Sequence, residues 1–239
     1  MGQPRAISSP EQPMSRRTHP IPALSRRAAL VGAAQALALL ASGCIQPPRA
    51  TAPNEPPAAT PTSAATPDRA CVAALPAVIP PTPIPYPGYT QQEPSTGLHV
   101  TAEPQVVELA TYRLKVTGTV ARELSLTYDE LRCLPRIGAH VQIVCPGFFI
   151  DWSNLAGASL ASVLALAGPL AGANWVDFAG VDGWSYGLAL AEAQAADNFL
   201  AYEWEGELLP VSHGFPVRAA LPGHSGGYWT KWLQEIRVS

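Results

Sequence analysis

Cys145 ends an apolar run, Val141-Gln142-Ile143-Val144, and is followed by Pro146-Gly147. Pro and Gly end a strand ladder and turn the chain, so this thiol belongs at a strand end beside a loop, where it can face a pocket. A thiolate there is a strong ligand for soft metals. An ordinary buried core cysteine has the same local pattern. The second group is His213-Gly214-Phe215-Pro216-Val217-Arg218, in which a Gly-x-Pro turn holds a His and an Arg at fixed spacing. The guanidinium fork suits phosphate. Eleven residues beyond Arg218 begins Trp229-Thr230-Lys231-Trp232, after a Gly-Gly turn. Its lysine between two aromatics is a second phosphate donor or a snorkelling surface residue. The third group, Asp182-Gly183-Trp184, reads first as a hairpin turn.

The elements that must position these residues are short. Tyr112 to Gly118 alternates apolar and polar residues as a half-buried strand does. Thr127-Tyr128-Asp129-Glu130 is a capping box, opening a short helix that ends before Pro135. Strands are expected at His140 to Cys145, Trp175 to Phe178, Tyr186 to Leu190, Val217 to Leu221 and Gln234 to Val238. A helix from Ser159 to Ala167 is closed by Gly168-Pro169, and Glu205-Gly206 makes a further hairpin turn. Many strands with a few helices define an α+β domain, spanning His99 to Ser239.

In this order the pieces resemble the molybdopterin-binding domain of the sulfite oxidase family, over Tyr112 to Val238. The opening strand, Leu126 to Leu131, the helix at Ser159 to Leu164 and the Asp182-Gly183-Trp184 turn all have counterparts. His213-Gly214-Phe215-Pro216-Val217-Arg218 is similar to the family's most specific motif. The resemblance implies that Cys145 ligates molybdenum and acts as the catalytic residue. It also implies that His213 and Arg218 meet the pterin phosphate region, with Lys231, Thr230 and Asp182 contributing further cofactor contacts. The cofactor implied is molybdenum-molybdopterin. The reaction implied is movement of an oxygen atom to or from a small oxyanion or sulfoxide, with sulfite among the substrates. Arg132 and Arg136 are candidate donors for such an anion, or else solvated arginines. The sequence departs from the family after Cys145, where Pro146-Gly147 leads to Trp152 in an altered loop. The family's N-terminal pterin contacts have no clear place, with His99 as the candidate. Without a haem domain, electrons are expected to pass to or from a separate protein such as a cytochrome.

Residues 1–43 read as an export leader. Arg26-Arg27 precede an apolar run from Ala28 to Ala41, too short to span a bilayer. Paired arginines there suit the twin-arginine route, and Leu40-Ala41-Ser42-Gly43-Cys44 suits lipidation at Cys44. The expected location is the periplasmic or cell-surface side of a membrane, held by the lipid alone. Residues 44–98 are rich in Pro, Ala and Thr and read as a disordered tether. Removing a leader with five arginines and one Glu leaves 10 Lys and Arg against 17 Asp and Glu, a balance of −7. A chain this acidic, without a basic stripe, is a poor nucleic-acid binder. If Cys44 carries lipid, the three remaining cysteines leave at least one thiol free or ligated. A Cys71–Cys133 bridge is one arrangement.

Three other readings compete. Gly223-His224-Ser225-Gly226-Gly227 fits the G-x-S-x-G elbow, but no Asp or His follows Ser225. A His140, Asp182, Ser225 order would have His224 where an acid normally precedes the serine. A zinc site from His140, His213, His224 and Cys145 lacks the usual spacing. A lipid-anchored domain of the same fold that has lost its metal would be a binding module.

Overall fold

The structure is a computed structural model that describes residues 67–239. The leader, Cys44 and the tether up to residue 66 lie outside the described residues. After them comes α1 (Arg69–Ala74), capped by the Asp68 carboxylate accepting from the Ala70 amide. An extended proline-rich stretch leads to β1 (Gln91–Gln92) and β2 (His99–Val100), which pair antiparallel.

The domain proper starts with β3 (Leu114–Gly118), β4 (Leu124–Leu126) and α2 (Tyr128–Arg132). The expected capping box is present: Thr127 Oγ1 accepts from the Glu130 amide, and Glu130 accepts from the Thr127 amide. Next come β5 (Arg136–Cys145), β6 (Phe149–Ser159), α3 (Leu160–Ala167), β7 (Trp175–Gly180), β8 (Ser185–Ala189) and α4 (Leu190–Ala193). The chain closes with β9 (Phe199–Trp204), β10 (Glu207–Leu208), β11 (Arg218–Ala220) and β12 (Leu233–Val238). Single 3-10 turns at Val211–His213 and Gly226–Tyr228 flank β11.

Two five-stranded sheets result. One runs β10-β9-β6-β5 with β11 also on β9, and the other runs β4-β3-β12-β7-β8. The closing strand β12 lies parallel to β3 and antiparallel to β7. The core joins both sheets to α3 through fully buried side chains such as Leu114, Val163, Leu164, Phe178, Leu200 and Ile236. Gly157 lets β6 approach β9, since a Cβ there would collide with the Leu200 carbonyl. Among the described residues, no helix is long and apolar enough to cross a membrane.

The α+β class agrees with the sequence expectation; two local expectations change. The altered loop after Cys145 is a tight turn, with Gly147 at φ 81° and the Phe148 amide donating to the Cys145 carbonyl at 3.0 Å. It joins β5 to β6, and Cys145 pairs with Phe149. The strand is hard to read because β6 inverts the usual alternation: Asp151 and Ser153 are buried, while Ile150 and Trp152 are exposed. The second correction concerns the tether. Its latter half is folded onto the domain, held by a Cys71–Cys133 disulfide and by the buried Glu93 and Leu98. Proline limits laddering in this stretch to the short β1–β2 pair, so it is otherwise fastened at points, which composition cannot reveal.

Candidate functional site

The strand end at Cys145, the turn at Asp182 and the loops around β11 converge on one cavity of about 920 Å³, counting its open mouth. Cys145, Asp182, His213, Arg218 and Lys231 all line it. Cys145 is the free cysteine among the described residues, and burial pushes its thiol pKa up. It faces inward on β5 with Ile143, the alternate residues facing out.

The floor carries two cations, the buried Arg218 and the half-buried Lys231. Arg218 is 5% exposed and donates to the carbonyls of His213 at 3.2 Å and Trp229 at 3.3 Å. Its Nε has no hydrogen-bond partner. Desolvation brings its pKa down to about 10. Lys231 Nζ donates to the Ser212 carbonyl at 3.0 Å and sits 4.4 Å from the Trp232 ring centroid. Burial, with the Arg218 charge behind it, brings its pKa down to about 7. Neither cation forms an ion pair among the described residues. Gly214, at φ 115°, makes their proximity to His213 feasible: a Cβ there would stand 2.9 Å from Arg218 Cβ and 3.3 Å from Lys231 Cα.

His213 is buried, with Nε2 3.0 Å from Glu93 Oε2 and 3.1 Å from Thr96 Oγ1. Burial lowers its pKa. On the opposite wall, Asp151 accepts from the His99 amide and from its Nδ1, both at 2.7 Å. The His99 ring stacks on Phe149 at 4.4 Å. The Asp182 carboxylate accepts from the Trp184 amide at 3.0 Å, and the Trp184 indole donates to the Gly227 carbonyl. Trp184 and Tyr89 therefore stand at the rim as large exposed aromatics.

Several expected residues lie elsewhere. Thr230 does not line the cavity; it is buried, and its hydroxyl donates to the Phe178 carbonyl at 3.4 Å, tying the final loop to β7. Arg132 pairs with Asp129 on its own helix, and Arg136 on β5 reaches across β6 to Glu203 on β9. Neither reaches the cavity, so neither can receive an anion there. His140 is exposed on the outer face of β5, stacked on Trp152 and bonded to Asn154. It cannot join Asp182 and Ser225 in a triad, nor His213 and Cys145 around a zinc ion. His99, the candidate N-terminal contact, does line the cavity. Sequence reasoning missed Glu93, Tyr89 and Asp151, two on the supposed tether and one on the unread strand.

The arrangement suits a ligand with an anionic end. A buried and a half-buried cation, both unpaired, beside an unsatisfied guanidinium N–H call for a phosphate, and Cys145 brings a free thiol to the same cavity. A pterin phosphate at Arg218 and Lys231, with a soft metal at Cys145, fits this donor set.

The model of the oxidoreductase molybdopterin binding domain family matches residues 100–239. The NADH nitrate reductase of Volvox carteri is 36% identical over 163 residues, covering 54% of this chain and 19% of that protein. Sulfite oxidase of Gallus gallus is 36% identical over 164 residues, covering 56% and 36%. Sulfite oxidase of Arabidopsis thaliana is 32% identical over 171 residues, covering 56% and 44%. The chain thus spans less than half the length of these curated relatives. Among solved structures, the sulfane dehydrogenase SoxCD from Paracoccus pantotrophus superposes with a TM-score of 0.54 at 20% identity, covering 67% of this chain and 50% of that one. That likeness concerns the fold.

Proposed function

This chain belongs to the oxidoreductase molybdopterin-binding domain family, that of molybdenum oxidoreductases with molybdenum-molybdopterin as cofactor, and from that premise we propose that it transfers an oxygen atom to or from a small sulfur compound at the cavity of Cys145. The observation that carries the reading is the convergence of Cys145, His213, Arg218 and Lys231 on that cavity from separate elements.

The chain's own residues divide the work. Arg218 and Lys231 would hold the phosphate end, since one is buried, the other half-buried, and neither has a carboxylate partner among the described residues. Cys145 would ligate molybdenum as a thiolate, the metal's charge offsetting the burial that raises its pKa. When bound, the cofactor supplies two-electron oxygen-atom transfer. The protein supplies orientation and a low-dielectric setting rather than a proton-transfer base. Tyr89, Phe149 and Trp184 line the approach. With Arg132 and Arg136 engaged elsewhere, this lining favours an uncharged sulfoxide over sulfite. Electrons are exchanged with a separate redox protein such as a cytochrome.

We also read the chain as exported by the twin-arginine route and anchored by lipid at Cys44. The disulfide supports this, because such bonds persist in oxidising compartments.

The test is protein purified from a molybdenum-competent host. Stoichiometric molybdenum and pterin, with dye-coupled reduction of methyl phenyl sulfoxide, is the expected result. Cys145→Ser should lose metal and activity together. Wild type without molybdenum would sink the enzyme reading, and full metal retention in Cys145→Ser would sink the ligand assignment.

A further inference from the structure

The family match begins at residue 100, yet part of the site lies before it. Glu93 and Thr96 reach His213 from the proline-rich segment. Glu93 is 2% exposed, and a buried carboxylate is costly unless hydrogen-bonded. Three side chains surround it: Ser95 Oγ donates to it at 2.6 Å, Ser212 Oγ donates as well, and His213 Nε2 lies 3.0 Å away. Two of them belong to the 3-10 turn that carries His213 into the cavity.

The protons can be placed from this geometry. Burial acts to raise the Glu93 pKa, but the hydrogen bonds from His213, Ser212 and Ser95 outweigh it and hold the carboxyl at about 2. Burial keeps His213 neutral. A neutral imidazole has one N–H, and an ionised carboxylate only accepts. The His213 proton therefore sits on Nε2, between Glu93 at 3.0 Å and the Thr96 hydroxyl oxygen at 3.1 Å. Nδ1 carries a lone pair and has no hydrogen-bond partner among the described residues.

We propose that Glu93 is a positioning residue for the cavity: by accepting from Nε2–H it fixes the tautomer and ring orientation of His213, so that Nδ1 faces the cofactor as an acceptor. This rests on the reading of His213 as a cofactor contact. It narrows that contact, because an acceptor nitrogen suits an N–H or O–H donor of the pterin and not a phosphate oxygen. The phosphate is left to Arg218 and Lys231. The segment before residue 100 is then part of the site and not a spacer alone.

The experiment is nitrogen-15 NMR of histidine-labelled holoprotein, with His213→Gln identifying the resonance. The expected wild-type pattern is a neutral ring protonated at Nε2 between pH 6 and 8. Glu93→Gln, whose amide can itself donate to Nε2, should populate the Nδ1–H form. Molybdenum retained through dialysis should fall on the order of 10-fold, the usual effect of losing a residue that orients a binding histidine. Glu93→Asp should restore part of both. An imidazolium or an Nδ1–H ring in wild type would overturn the proposal, and so would Glu93→Gln with unchanged tautomer and unchanged molybdenum. The wild-type spectrum needs no variant, so a poorly folding Glu93→Gln leaves the test standing. Wild type without molybdenum would remove the proposed function, while its own spectrum would still decide the Glu93–His213 pairing.

Discussion

Lys231 gives the sharpest test of a site built for an anion. Its pKa is depressed to about 7 by burial and by Arg218, while in an unfolded chain it titrates near 10.4. A lysine depressed in this way costs stability while it is charged, at pH below the folded value. The cost is relieved as pH rises from about 7 towards the unfolded value. Between pH 7 and pH 9 the relief is roughly 2 kcal/mol, one factor of ten per pH unit once the folded value is passed. That window is clean on its lower side, and on its upper side Cys145 takes back part of the gain, since an unfolded cysteine ionises at about 8.5. His213 has its pKa lowered and is neutral above it. Tyr112, Tyr128, Tyr202 and Cys145 have theirs raised, so they act near and above the top of the window, where the unfolded chain ionises first and stability falls. The assay is urea unfolding followed by tryptophan fluorescence, on protein made in a host unable to synthesise molybdopterin. From pH 7 to pH 9 wild type should gain about 2 kcal/mol relative to Lys231→Met, which should be the more stable of the two at pH 7. Holoprotein should lack the gain, because a bound phosphate keeps the ammonium charged. Parallel pH profiles for wild type and Lys231→Met would refute the reasoning, since the lysine would then not be a strained buried cation.

Two further outcomes are expected. The Cys71–Cys133 bridge spans a sequence separation of 62 residues; in the chain-entropy limit, replacing both cysteines by serine should cost up to about 4 kcal/mol in urea unfolding, and an unchanged midpoint would show that the segment is held without it. Replacing Arg26 and Arg27 by Lys should strand folded, metal-loaded protein inside the cell on fractionation; export of that variant by the unfolded-chain route would break the link between leader and cofactor.

What was legible in the sequence was local. Cys145 before Pro146-Gly147, the capping box at Thr127, the C-terminal glycine of α3 and the His213 to Arg218 turn each depend on neighbours a few residues away, and each stands where the spacing placed it. Thr230 was drawn in by its neighbour Lys231, but the chain bends at Lys231 and Trp232, and the threonine faces β7 while the lysine faces the cavity. Arg132 and Arg136 failed for a different reason. An arginine's availability depends on which carboxylates stand nearby, and Asp129 and Glu203 claim these two.

The remaining omissions come from distance along the chain. Glu93 and Ser212 are separated by 119 residues, and no local pattern joins them. Low hydrophobicity and many prolines are an argument about whether a segment can fold alone; they say nothing about whether it can be fastened to a finished domain. Here a disulfide at one end and a buried carboxylate near the other meet the entropy cost of ordering such a segment. The site is consequently assembled from two kinds of chain. The strands and the loops that join them supply the thiol and the cations, and the proline-rich segment supplies the carboxylate that orients the histidine among them. The domain from residue 100 onward, expressed without that segment, would keep Cys145, Arg218 and Lys231 but leave His213 free to choose its tautomer.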